Sequence, residues 1–169
     1  MAVLNPDHLF EQADRLIAPP GGGAPRQVDL RRAISNAYYG LFHAVVTEAA
    51  DDFVGSTHRQ TTRYALVYRS VDHKSLRRLC EDVVKKDLPR RYSTYGPTGG
   101  FGPDLIAFST ALVDLQEKRH LADYDPLLRV RRSDAIFAVA TGRTGLGRFR
   151  SANRARRRAF LSLVVFSPR

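Results

Sequence analysis

Residues 30–51 read LRRAISNAYYGLFHAVVTEAAD, a stretch without proline in which Ile34, Ala37, Leu41, Ala44 and Val45 recur at three- and four-residue spacing. That period puts an apolar stripe along one side of a helix of about 20 residues, long enough to be the spine of a core. Asp29 begins it, and Gly55-Ser56-Thr57 closes it. Working outward, Pro6-Asp7 opens a shorter helix with Leu9, Phe10, Ala13, Leu16 and Ile17 on one side, and Pro19-Pro20-Gly21-Gly22-Gly23 stops it. Downstream, residues 58–71 hold a weaker helical pattern around Tyr64, Ala65, Val67 and Tyr68. Asp72 is placed to cap the next helix, through Leu76, Leu79, Cys80, Val83 and Val84. Residues 89–102, rich in glycine, read as a long loop. Pro103-Asp104 restarts a helix carrying Leu105, Phe108, Leu112 and Leu115 as far as Asp125-Pro126. Ser133 is expected to cap a further helix that Gly142, Gly145 and Gly147 interrupt or bend, and a last one spans roughly 153–166. No run alternates with period two. The expected fold is therefore all-α, an antiparallel up-and-down bundle of four to six helices, with residues 1–132 as the bundle and 133–169 as a basic helical extension packed on the same domain.

A chain of 169 residues can bury one sizeable core without staples. Cys80 is the single cysteine, inside a helical pattern, and reads as a small buried hydrophobe in a reducing, cytoplasmic setting. The opening MAVLNPDHLFEQ has neither a basic n-region nor an apolar h-region, and the longest apolar runs are too short to span a bilayer. Neither export nor a membrane contact is expected. The net charge of +10 is unevenly distributed: residues 126–169 hold eleven arginines, no lysine and one acid, Asp134, and account for the whole excess. Guanidinium groups match phosphate geometry, so Arg154, Arg156, Arg157 and Arg158 are candidates for contact with RNA. A solvated helix face held against an acidic partner explains the same charge equally well.

Two constellations carry chemistry. On the long helix Arg32, Asn36, Tyr39 and His43 are separated by four, three and four residues, and so share a polar stripe beside the apolar one. The later helix ends LQEKRHLADYDP (115–126), where Arg119 stands one turn from Asp123, and His120 one turn from Tyr124. Ordinary explanations exist for both: Tyr39 and His43 as core residues with satisfied polar tips, and Arg119–Asp123 as a pair closing a helix end. Zinc spacing, a glycine-rich phosphate loop after a strand and a Gly-x-Ser-x-Gly elbow are all missing from the sequence, and no metal or cofactor is expected.

The combination of LRRAISNAYYGLFH (30–43), DHKSLRRLC (72–80), LQEKRHLADYDP (115–126) and RRRAFLSLVVF (156–166) resembles a bacterial subgroup of the HEPN domain family with RRAxSxAYYxxFH and RHxADYD signatures. The resemblance covers nearly the whole chain. It implies a helical bundle, commonly a homodimer, associated with RNA or nucleotides in prokaryotic defence and toxin–antitoxin systems, where an operon-encoded protein is a possible partner. Ribonuclease members place an arginine and, five to seven positions on, a histidine at the dimer cleft, without a metal. Arg119 matches that arginine and His120 stands where many members have an asparagine, but the fifth position after Arg119 is Tyr124, and no histidine of this chain lies five to seven residues after an arginine. The family's catalytic motif is thus unmet.

Cleaving RNA needs a group to deprotonate the ribose 2′-hydroxyl, one to protonate the leaving oxygen, and a cation for the phosphorane. Arg119 can be the cation, with His120, Tyr124 or His43 as orienting or proton-carrying neighbours, Asp123 as the structural partner of Arg119, and Arg32, Asn36 and Tyr39 as RNA contacts. The expectation is an RNA-associated protein, either a ribonuclease with a modified site or a non-cleaving relative. The alternatives are a protein-interaction module or a nucleotide-binding regulatory domain without catalysis.

Overall fold

The computed structural model describes residues 4–168, in which every regular element is helical. In chain order these are α1 (Pro6–Ile17), α2 (Gln27–Val54), a 3-10 turn (Ser56–His58), α3 (Thr62–Ser70), α4 (His73–Val83), α5 (Arg90–Ser93), α6 (Gly102–Tyr124), α7 (Arg132–Ser151) and α8 (Arg154–Val165). Four of them, α1, α2, α6 and α7, form the central bundle, and α2 touches all three others.

Pairs of residues fix the directions. Gln12 of α1 meets Asn36, while Phe10 lies against Gly40, so α1 and α2 run oppositely. Arg31, near the start of α2, donates to the carbonyls of Ala122, Asp125 and Leu128 at the end of α6, so this pair is antiparallel too. Gln27 exchanges hydrogen bonds with the backbone of Val130, just before α7, and Leu41 meets Gly145 further along, so α2 and α7 are parallel. The result is the expected up-down-up-down bundle. The short helices α3, α4 and α5 fill the connection between α2 and α6. Phe160 of α8 packs edge-on to Phe101 and Phe108, closing one end of the bundle.

The core is continuous. Phe10, Leu41, Leu76, Leu105, Leu112, Phe149 and Phe160 are all essentially inaccessible, and Cys80 is buried among them. Burial pushes the Cys80 thiol up to about 12, which makes it a core hydrophobe and not a nucleophile. The boundary read at 132/133 falls at the start of α7, whose Ala135, Ala138, Leu146 and Phe149 belong to this same core. Among the described residues no helix is long and apolar enough to cross a membrane.

Several sequence expectations need correction. Eight helices are present among the described residues against the expected four to six: the pattern read over residues 58–71 is a helix at 62–70, and residues 90–93 add one turn inside the expected loop. The start of α7 is closed by Asp134, whose carboxylate reaches back to accept from the backbone N–H of Arg131 at 2.9 Å, so Ser133 lies inside the helix and is not its cap. The glycines of α7 do not interrupt it. A Cβ at Gly142 would stand 2.6 Å from the Phe10 ring, and one at Gly40 would stand 2.5 Å from the same ring. These two positions are glycine because α2 and α7 close on Phe10 from both sides, a packing requirement that sequence reads as a breaker.

Candidate functional site

The parallel run of signals on α2 and α6 becomes one site where the helices face each other. Arg119 Nη2 donates to the Tyr39 hydroxyl at 2.6 Å. Its guanidinium also lies 5.3 Å from the centre of the Tyr39 ring and 5.7 Å from that of Tyr124. Asp123 Oδ2 is 2.8 Å from Arg119 Nε, but the N–H does not point along that line, so the contact is an ion pair without a hydrogen bond. The other oxygen, Oδ1, accepts from the Ser35 hydroxyl at 2.6 Å and ties the end of α6 back to α2. The guanidinium is therefore held from two sides, and about a fifth of the side chain stays accessible. Among the described residues its Nη1 makes no hydrogen bond.

Two imidazoles stand next to Tyr39. His43 Nδ1 is 2.6 Å from the Tyr68 hydroxyl on α3, and the His43 ring lies 6.1 Å from Tyr39. His73, the first residue of α4, packs its ring 3.9 Å from Phe42 and 5.9 Å from Tyr39, with Nδ1 at 2.7 Å from the Tyr38 hydroxyl. Tyr38 is wholly buried, and burial pushes its phenol far above the ordinary range, so it stays a neutral anchor. Both histidines are held below the ordinary imidazole value. Burial is the main cause for each; His73 adds to it for His43, and Arg119 for His73. At neutral pH both rings are uncharged. Each uses Nδ1 on a tyrosine, leaving Nε2 without a hydrogen-bond partner among the described residues.

His73 is the residue that reading the sequence missed. It is the second residue of the DHKSLRRLC stretch, 30 positions beyond His43, and helical spacing cannot connect residues on different helices. Only the fold of α3 and α4 back onto α2 brings them together. The other expected residues divide. Tyr39, His43, Arg119 and Asp123 share the site. Tyr124 borders the site through Arg119 and is exposed, and His120, also exposed, has its ring 5.0 Å from Tyr124 with no contact to the other site residues among those described. Arg32 is exposed, one turn further out on α2. Asn36 is buried and donates to Gln12 at 2.9 Å, so it joins α2 to α1 and does not present an amide to the site.

The four arginines of α8 are not equivalent. Arg157 pairs with Glu48 at 2.6 Å and donates to the carbonyl of Arg150 at 2.7 Å, with Phe149 and Ala152 carbonyls at 3.4 Å. It is thus the C-terminal cap of α7, as Arg31 is for α6, and a cation there also complements the helix dipole. Arg158 pairs with Asp52 at 3.0 Å. Arg156 is partly buried against the backbone of Gly99 and Gly102. Arg154 is exposed and makes no ion pair or hydrogen bond among the described residues. Neutral total charge over residues 1–125 hides the fact that its carboxylates face these arginines across the fold. Among the described residues no three His, Cys, Asp or Glu side chains gather as a metal site would require.

Comparison of the chain with protein-family models, with curated proteins and with solved structures finds no match in any of the three. The functional reading rests on the residues and their geometry.

Proposed function

We propose that this chain is an RNA-associated protein of the HEPN type whose site is built on Arg119, Tyr39, His43 and His73. One observation carries the reading: a guanidinium is anchored by a phenol and a carboxylate, and two imidazoles held below their ordinary value flank that same phenol, each with Nε2 lacking a hydrogen-bond partner among the described residues. That set matches what transesterification of RNA demands. A neutral imidazole takes the proton of the ribose 2′-hydroxyl as O2′ attacks phosphorus. A protonated imidazole gives a proton to the departing O5′ as the P–O5′ bond breaks, leaving a 2′,3′-cyclic phosphate. Arg119 offsets the charge that gathers on the phosphorane oxygens. With His43 and His73 both neutral at pH 7, the acid form is scarce, and cleavage is expected to peak on the acidic side of neutrality. His120 and Tyr124, outside this cluster, serve as RNA contacts beside Arg119, and Arg32 extends the same surface. A cytoplasmic setting, in a defence or toxin–antitoxin operon, belongs to this reading.

The decisive experiment uses purified protein with a fluorescent single-stranded RNA, following binding and cleavage at low and moderate salt. Arg119→Ala lowers both without unfolding the chain, and His73→Ala lowers cleavage more than binding. Unchanged binding in Arg119→Ala sinks the reading. Cleavage that never appears, with binding lost in Arg119→Ala, selects the non-cleaving relative.

A second reading, a protein-interaction module, is supported by exposed apolar residues beside the site. Leu121, Tyr124, Leu127 and Phe137 are all about half or more accessible, Leu127 at 87%. Such a patch at the junction of α6 and α7 suits a homodimer or an operon-encoded partner. Sedimentation at micromolar concentration tests it: a strict monomer removes the dimer from the proposal.

A further inference from the structure

The basic C-terminal quarter converges on a second place, away from Tyr39 and Arg119. Between the last turns of α2, the end of α7 and the start of α8 lies an open cavity of about 650 Å³. That is within the range of about 300–1,000 Å³ occupied by small-molecule sites. Five guanidinium groups line it: Arg59 beside the 3-10 turn, Arg150 at the end of α7, and Arg154, Arg157 and Arg158 of α8. Facing them on α2 are the carboxylates of Glu48, Asp51 and Asp52. Ala44, Leu146, Phe149 and Leu161 contribute an apolar floor.

The two sets of charges are unequal in number and in commitment. Arg157 is locked by Glu48 and by the carbonyls at the end of α7, so it is a fixed wall. Arg59 and Asp51 are likewise fixed, by a two-point fork at 2.9 and 2.6 Å that the Tyr64 hydroxyl joins at 3.0 Å. Arg158–Asp52 is a single contact at 3.0 Å whose arginine is well exposed, and such a pair is worth little and exchanges readily. Arg150 turns outward to Asp7, and Arg154 has no protein partner among the described residues. A bare anion entering here meets five cations and three carboxylates. A bare sugar meets acceptors and leaves the surplus cation unanswered. A molecule carrying a phosphate and several hydroxyl groups satisfies both walls: arginine forks hold the phosphate, and carboxylates accept from the hydroxyls.

We propose that this cavity binds a phosphorylated sugar, with Arg154 and Arg158 holding the phosphate and Asp52, released from Arg158, accepting from hydroxyl groups. The binding is independent of the RNA site, so failure of one leaves the other standing. Free sugar phosphates and nucleotides share this chemistry, and the test separates them.

The test is calorimetric titration of the full chain at low salt with ribose 5-phosphate and with adenosine 5′-monophosphate, beside inorganic phosphate and ribose. At least one phosphate ester binds saturably and at least tenfold more tightly than inorganic phosphate or ribose, and the tighter ester names the source. Arg154→Ala weakens that binding about tenfold, as loss of a charged hydrogen bond does, with no change in melting temperature. Arg132→Ala is the control, an exposed arginine at the opposite end of α7, roughly 27 Å away at 1.5 Å per residue, and it leaves the affinity unchanged. No saturable binding of either ester, inorganic phosphate binding as tightly as the esters, or equal weakening by Arg132→Ala overturns the proposal.

Discussion

The Tyr39 hydroxyl accepts a hydrogen bond of 2.6 Å from Arg119, joining the middle of α2 to the last turns of α6. Together with the Ser35–Asp123 bond of 2.6 Å it makes a closed polar link, in which α2 supplies an acceptor for the guanidinium and a donor for the carboxylate that pairs with it. Tyr39→Phe deletes the acceptor and keeps the ring. The expected loss of stability is about 1 kcal/mol, the usual net value of one such bond, and RNA affinity falls because Arg119 is no longer fixed. Thermal melts and RNA titrations on the same variant separate the two effects. Ser35→Ala, which frees Asp123, gives a loss of similar size.

Arg157 is expected to matter for folding far more than its neighbours. Arg157→Gln leaves Glu48 partly buried without its cation and uncaps α7, for a loss of about 2–3 kcal/mol. Arg154→Gln, exposed and unpartnered, changes stability by no more than about 0.5 kcal/mol. Urea unfolding of the two variants, compared directly, tests the difference. Equal midpoints would mean that the Arg157 contacts contribute nothing.

Gly142→Ala places a methyl group 2.6 Å from the Phe10 ring and 3.2 Å from the Ala37 carbonyl. Alanine gains about 1 kcal/mol of helix propensity over glycine, while overpacking costs about 1–3 kcal/mol. The clash is with a ring held on both sides, and the net effect is destabilising. Phe10→Leu in the same chain restores part of the loss, and a double-mutant cycle by thermal unfolding measures the coupling.

Stability is expected to fall as the pH drops below about 6.5. The folded state holds His43 and His73 below their ordinary value, by burial first, so between the folded and unfolded values the unfolded chain binds more protons. The contribution is complete above the unfolded value of 6.5 and is lost as pH falls through the folded values. Melting temperatures recorded between pH 5 and pH 8 decline by several degrees toward the acid end. His43→Asn and His73→Asn each flatten that decline, and a profile unchanged in both would assign the acid sensitivity elsewhere.

Much of the fold is legible in the sequence because it depends on local periodicity. The apolar stripe of residues 30–51 and those of α1, α4 and α6 specify helices wherever they pack, and Asp72 and Pro103 mark helix starts by local chemistry alone. The pairing of Arg119 with Asp123 is visible for the same reason, since one helical turn separates them. Gly142 reads as an interruption because its reason lies on other helices: only the approach of Phe10 from α1 turns a breaker signal into a packing requirement.

What the sequence by itself determined is a set of amphipathic helices and the location of the excess charge. Tertiary structure alone decided which polar groups meet. Tyr39 with Arg119, His43 with Tyr68, His73 with Phe42, and Arg157 with Glu48 are contacts between different helices, and no spacing rule reaches across a connection. The same physics sorts the arginines. A side chain beside a helix end or a buried carboxylate becomes a cap or a strut, as Arg31 and Arg157 do. One that faces open solvent, as Arg154 does, keeps its charge available for a ligand.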